Sequence, residues 1–179
     1  RARIIEFYGA SETSFIAWMA ADASVPAQVV GQPFSNVDIE IREPRAADGT
    51  GLIFVRSPMV FMDYAGGGQD ETAALRDGDW LSVRDMGRLD ALGRLHLVGR
   101  QNRMIVTQGK NLFPEELETV LMAHPSVAMA SALGLPHPVR GQQVVATVRL
   151  RTQGPVDAAA LMAWCRERLE SYKVPRRLY

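Results

Sequence analysis

Residues 98–118 read VGRQNRMIVTQGKNLFPEELE, and they are preceded at 85–88 by Asp-Met-Gly-Arg. Asp85 stands a short turn ahead of a strand-like apolar run, Leu95-His96-Leu97-Val98. Gly99-Arg100 closes that run, and a polar joint, Gln101-Asn102-Arg103, follows it. A second apolar run, Met104-Ile105-Val106, leads to a glycine turn at Gly109. Pro114-Glu115-Glu116 then opens a helix, because proline suits the first turn and carboxylates favour the positive N-terminal end of the helix dipole. The stretch divides the chain into a β-rich part before the joint and an α+β part after it.

The bulk numbers exclude several classes. At 179 residues the chain can bury a real core as one domain or two small ones. Hydrophobic residues make up 47% and charged residues 22%, the ordinary balance of a globular protein. Twenty basic residues against twenty acidic ones leave no field to draw nucleic acid or an anionic membrane. One cysteine, Cys165, rules out an intrachain disulfide and fits a reducing compartment, so a cytoplasmic location is expected. No apolar run reaches the length of a membrane span. Beginning at Arg1 and stopping at Tyr179, the sequence reads as a piece cut from a longer protein.

Local patterns predict the elements. Ile4 to Tyr8 is a β-prone run that turns at Gly9-Ala10-Ser11-Glu12-Thr13. Val37 to Ile41 alternates as a half-buried strand does, and Asp48-Gly49-Thr50-Gly51 links it as a hairpin to Leu52–Val55. Gly66-Gly67-Gly68 marks a loop before a short helix at Glu71–Leu75. Trp80–Val83 and Leu95–Val98 flank a tight turn at Asp90-Ala91-Leu92-Gly93, which predicts a second hairpin. After the joint, Leu117, Val120 and Leu121 recur at helical spacing over 114–124, and 127–133 and 144–150 read as strands. Residues 156–172 predict a helix with Ala160, Leu161, Trp164, Cys165 and Leu169 on one face.

Order and spacing over more than thirty positions resemble the hinge region of the adenylate-forming enzymes: acyl- and aryl-CoA synthetases, fatty acyl-AMP ligases, peptide-synthetase adenylation domains and luciferases. That family shows Tyr-Arg-Thr-Gly-Asp, later Gly-Arg-x-Asp-Asp-x-Ile-Lys, then Gly-x-x-Ile-x-Pro-x-Glu-Ile-Glu. The resemblance implies an α+β fold in which residues 1–101 are the β-rich end of a large ATP-binding domain. Residues 102–179 would be a small mobile C-terminal domain. It implies a ligase that joins a carboxylic acid, a fatty acid foremost, to AMP with ATP and Mg²⁺ and then passes the acyl group to CoA. A carrier protein is the alternative acceptor, and a noncatalytic relic of the hinge domain is the alternative outside enzymology. Gly-Lys-Asn-Leu-Phe-Pro at 109–114 leans towards acyl-activating members.

Roles then fall on positions. Phe7-Tyr8-Gly9-Ala10-Ser11-Glu12 resembles the segment that carries an aromatic beside adenine, a hydroxyl near the phosphates and a metal-binding glutamate. Those are Tyr8, Ser11 and Glu12, with Gly9 letting backbone approach a ligand, and a carboxylate is the hard oxygen ligand Mg²⁺ takes. Asp85 resembles the aspartate that accepts both ribose hydroxyls, a fit of two acceptor oxygens to a vicinal diol. Arg100 resembles the arginine over ribose and phosphate. Asn102 falls on the hinge position, and Gly109 and Lys110 fall where the family lines its CoA tunnel. Each also has a structural reading: Asp85 can satisfy turn amides, Arg100 can end a strand in an ion pair, and Lys110 can be a solvated side chain.

Two departures stand out. Ser82-Val83-Arg84 replaces Arg-Thr-Gly before Asp85, which puts the local backbone in question, and His137 replaces an aspartate in the Gly134–Gly141 loop, read as a structural turn. The catalytic lysine of the resemblance is expected beyond Tyr179, so this piece alone is expected to be inactive. His96, His124 and His137 lack ligand spacing, Cys165 reads as core, and Met59 and Met62 read as core filler.

Overall fold

A computed structural model describes residues 3–26, 28–44, 48–64, 72–151 and 157–179. The chain divides into two compact units, Arg1–Gln101 and Asn102–Tyr179.

The first unit is β. Its strands are β1 (Ile5–Ala10), β2 (Ser14–Ala20), β3 (Val29–Pro33), β4 (Asp38–Arg42), β5 (Gly51–Arg56), β6 (Arg76–Asp77), β7 (Trp80–Leu81), β8 (Asp85–Leu89) and β9 (Leu95–Arg100). Among the described residues they form one sheet ordered β1-β2-β3-β9-β8-β5-β7-β6, with β4 paired to β5. Ile16, Ala17, Val37, Ile53, Val55 and Leu95 make its core, and Ile39 and Ile41 of β4 pack onto it. That is the inward half of the alternation at 37–41. The β1–β2 hairpin shifts register between Tyr8 and Gly9. Gly9 is required there, since a Cβ on it would lie 2.1 Å from the Ser14 carbonyl oxygen.

Two expectations for this unit are corrected. The strand paired with β9 is β8, not Trp80–Val83. The turn begins directly after Leu89 because the Asp90 carboxylate accepts from the Leu92 and Arg94 amides, each at 2.9 Å. Arg94 Nε (2.8 Å) and His96 Nε2 (3.0 Å) complete its shell, and hydrogen bonding led by His96 holds the Asp90 carboxyl well below its usual range. Trp80–Leu81 instead pairs with Arg76–Asp77 and, through Leu81, with Val55. Met59 and Met62 are not core: both are exposed, Met62 by 91%, on a segment outside the sheet. The glycines at 66–68 and Glu71 lie outside the described residues.

The second unit is α+β. Its elements are β10 (Ile105–Thr107), β11 (Lys110–Leu112), α1 (Pro114–Met122), β12 (Val127–His137), β13 (Gly141–Leu150), α2 (Ala158–Arg166) and β14 (Arg177–Leu178). The sheet runs β11-β10-β13-β12, with β14 parallel to β13. The β10–β11 hairpin closes on Gln108 (φ 54°) and Gly109 (φ 73°), the two left-handed residues a tight two-residue turn demands. Leu117 and Leu121 of α1 meet Ile105, Leu112, Ala132, Val144 and Cys165 in the core. Each fully buried leucine contributes roughly 1.5–3 kcal/mol. The inert reading of Cys165 agrees with this packing, and burial pushes its thiol up.

Here too the expected boundaries are corrected. Strand β12 runs on to His137, so the expected 134–141 loop shrinks to a turn in which His137 Nδ1 accepts from the Val139 and Arg140 amides. Helix α2 is shorter than 156–172, and Ala160 is exposed. Asp157 starts it by accepting from the Ala159 amide at 2.8 Å. The apolar face of Leu161 and Cys165 is continued by Leu169 through a non-helical turn, so spacing alone cannot mark the end.

Arg84 adopts φ 65°, the left-handed region where a side chain costs about 1–2 kcal/mol. Arg84→Gly is therefore expected to raise stability by about 1 kcal/mol, the relieved clash outweighing the added chain entropy. Chemical denaturation of the two proteins checks it; a lower midpoint for the glycine variant would contradict the strain argument.

Candidate functional site

The β1–β2 turn and the end of β9 enclose an open cleft of about 670 Å³, lined by Phe7, Gly9, Ala10, Ser11, Glu12, Ser14, Phe15 and Arg100. Strand alternation sets what reaches it. Phe7 and Gly9 point to the cleft side of β1, while Tyr8 points to the other. Phe7 is 62% exposed and Phe15 44%, and their rings meet edge to face at 5.0 Å. Phe34 extends the aromatic wall at 5.5 Å from Phe15. Ser11, Glu12 and Arg100 make the polar end. Glu12 Oε1 accepts the Tyr64 hydroxyl at 2.7 Å, and its carbonyl accepts the Phe61 amide at 2.8 Å, so the turn is braced.

Behind the cleft lies Asp85, 3% exposed at the head of β8. The register sets it opposite Arg100, and Arg100 Nε comes within 3.1 Å of Oδ1. This contact is an ion pair without hydrogen-bond alignment, and Oδ1 is buried with no hydrogen-bond donor. The Arg100 side chain is 61% exposed, so the attraction is screened and weak. Oδ2 accepts the Tyr8 hydroxyl in a short hydrogen bond. Burial, and after it the charge and hydrogen bond of Asp85, push the Tyr8 phenol above its ordinary range, which keeps it a neutral donor.

Sequence reasoning thus selects residues that converge. Gly9, Ser11, Glu12 and Arg100 share the cleft, and Tyr8 and Asp85 are joined directly behind it. Tyr8, expected as an aromatic face beside a base, does not line this cleft, and its hydroxyl donates to Asp85. Phe7 and Phe15 were missed as site residues. Their signal is register, since both fall on the same face of paired strands as Gly9.

The other predicted positions belong to the second unit. Asn102 is exposed within a 3₁₀ turn, Gln101–Arg103. Gly109 is the left-handed corner of the β10–β11 turn, and Lys110 holds its ammonium 4.7 Å over the Tyr172 ring. His124 Nδ1 accepts the Ser126 amide and its ring stacks edge-on against Trp164. Among the described residues no three His, Cys, Asp or Glu side chains cluster to hold a metal. No helix among them is long and apolar enough to cross a membrane.

Residues 116–179 match the AMP-binding enzyme C-terminal domain. An uncharacterized acyl-CoA ligase of Bacillus subtilis is 40% identical over 180 residues, 98% of this chain and 35% of that protein. Residues 116–179 thus belong to that domain's family, and the chain as a whole is similar to acyl-CoA ligases. Its fold agrees with the o-succinylbenzoate CoA synthetase of Bacillus subtilis in complex with its acyl-adenylate intermediate. The TM-score is 0.88 at 31% identity, covering 99% of this chain and 37% of that one. The amide bond synthetase of Marinactinospora thermotolerans is similar too, with TM-score 0.86 at 34% identity over 97% of this chain and 37% of the other. The chain therefore spans about a third of the length of these family members. Against the family pattern, Arg84 stands at the usual glycine and takes a glycine's backbone angle, and Asp85 is held in place regardless.

The Tyr8–Asp85 bond predicts strong coupling. Tyr8→Phe leaves a buried carboxylate oxygen undonated and is expected to cost about 1–3 kcal/mol. In a double-mutant cycle with Asp85→Asn, a coupling of about 0.5–3 kcal/mol is expected. Urea titration of the four proteins measures it, and simple additivity would show that the bond does not form.

Proposed function

We propose that this chain is part of an AMP-forming acid–thiol ligase, in which residues 1–101 close the ATP-binding domain and 102–179 form its C-terminal cap. The observation that carries the reading is one cleft with a phosphate-suited end, Ser11, Glu12 and Arg100, running into an aromatic wall, Phe7 and Phe15. An acyl adenylate has that polarity: an anionic phosphate joined to an apolar acyl group. Asp85, buried behind Arg100 with Oδ1 undonated, is suited to accept hydroxyls of the nucleotide sugar. The Arg100 guanidinium supplies positive charge where the attacked phosphate gathers negative charge.

Glu12 fits a Mg²⁺ site of the kind completed by substrate phosphates, since it offers one hard carboxylate and, among the described residues, no protein cage surrounds it. When bound, the ion would neutralise phosphate charge. The second step, transfer of the acyl group to a thiol, is supported by relatives that carry the name CoA ligase. Asn102 would be the hinge, and Gly109 and Lys110 would border the path of the CoA arm. The acid class is read from the wall: flat or compact apolar acids suit two exposed rings. A fatty acid stays the alternative, favoured by a long-chain-fatty-acid–CoA ligase of Bacillus subtilis that is 33% identical.

ATP–pyrophosphate exchange by the complete protein across a panel of aromatic, short and long-chain acids tests the reading. Exchange with none of them would end it. Glu12→Gln is expected to lower exchange by roughly 100-fold, as loss of a group that organises phosphate charge does. Phe15→Ala is expected to raise the acid's KM by about tenfold while leaving that of ATP alone. Equal shifts in both KM values would remove Phe15 from acid selection.

A further inference from the structure

The joint between the units is fastened on both of its sides. On the first side the Gln101 amide donates to the Arg84 carbonyl at 2.9 Å, and Arg100 is held in the β8–β9 register opposite Asp85. On the second side Arg103 spreads its guanidinium over two carboxylates of α1. Nη1 donates to Glu115 Oε1 and Nη2 to Glu118 Oε1, each at 2.7 Å. Glu118 is a fixed partner: its side chain is only 13% exposed, and the same oxygen accepts the Ala132 amide of β12 at 2.9 Å. Two residues beyond Arg103, Ile105 enters the core. Between the fastenings lies Asn102, exposed and without a side-chain hydrogen bond.

The arrangement calls for arginine. Its planar fork can donate to two acceptors at once, whereas an ammonium acts as a single point charge. Glu115 and Glu118 are three residues apart on one helix face, where like charges repel. Glu115 Oε2 is already buried with no donor. Without a cation between them, two carboxylates would face each other partly out of water, the costly way to break a buried pair. An exposed pair of this kind would contribute little, but this one shares its acceptor with a backbone amide of the sheet.

We propose that Arg103 is a positioning residue for the joint: by locking the start of the second unit onto α1 and β12, it confines backbone rotation between the units to Asn102. This rests on the two-step reading above, in which the second unit changes pose between adenylation and acyl transfer. A looser joint would spread rotation over several residues and dilute the transfer pose among neighbouring ones. Adenylation, which the first unit's cleft serves with Arg100 and Asp85 intact, would be little touched.

The test uses the complete protein with Arg103→Met, Arg103→Lys and Glu118→Gln. Pyrophosphate exchange is expected to stay within about twofold of the parent in all three, since no group in the cleft is altered. Transfer to the acceptor is expected to fall by about tenfold in Arg103→Met and to recover in part with lysine. Hydrogen exchange at the Ala132 and Met104 amides is expected to quicken by about tenfold in Arg103→Met, the mark of a released local fastening. Unchanged transfer, or equal loss in both half-reactions, would overturn the proposal. If the parent protein shows no pyrophosphate exchange, the two-step reading falls by itself. Amide exchange then decides the fastening alone, and unchanged protection at Ala132 in Arg103→Met overturns it.

Discussion

A carboxylate at 3% exposure is expensive to keep out of water unless its oxygens find donors or cations, and Asp85 meets that demand only in part. Tyr8 of β1 donates to one oxygen, and Arg100 of β9 stands beside the other without a hydrogen bond. The constraint ties together elements far apart in sequence. Strands β8 and β9 must pair so that residues 85 and 100 face each other, and the edge hairpin must bring residue 8 within reach. Once that is met, the cleft follows, because Arg100 is then aimed at the turn that carries Ser11 and Glu12. The undonated oxygen keeps its acceptor capacity for a hydroxyl or a water.

The second unit solves a different problem with similar means. Its core of Ile105, Leu112, Leu117, Leu121 and Val144 is conventional apolar packing. Its charges are arranged at the edges of α1: Arg103 bridges Glu115 and Glu118, and Lys173 pairs with Glu116 at 3.0 Å. Burial opposes the charge on Lys173, but the Glu116 hydrogen bond and charge prevail and raise it. Helix α1 is therefore pinned by cations at both flanks while its apolar stripe faces the sheet.

Much of this was legible in the chain because local chemistry dictated it. Pro114-Glu115-Glu116 could only open a helix, Gly109 could only turn a hairpin, and the alternation at 37–41 could only be a half-buried strand. The joint announced itself as three polar residues between two apolar runs. The candidate site was legible as residue types in a familiar order, which is why Gly9, Ser11, Glu12 and Arg100 were found together. The errors share a cause. Trp80–Val83 was paired with the wrong strand because β8, interrupted by Gly87 and Arg88, lacks alternation that spacing can detect. Met59 and Met62 were placed inside because hydrophobicity says what a side chain tolerates, not where the backbone carries it.

Sequence by itself determined the start of α1, the turn at Gly109 and the half-buried strand at 37–41, since each depends on residues within a few positions of one another or on their order. Tertiary structure alone decided which oxygen of Asp85 stays undonated, that Tyr8 serves it through a hydroxyl, that Phe7 and Phe15 wall the cleft, and that Arg103 binds two carboxylates. Those facts depend on strand register and on contacts 77 and 15 residues apart along the chain. Register is a property of paired backbones, and no local pattern encodes it: a one-residue shift would turn Tyr8 into the cleft and Phe7 out of it.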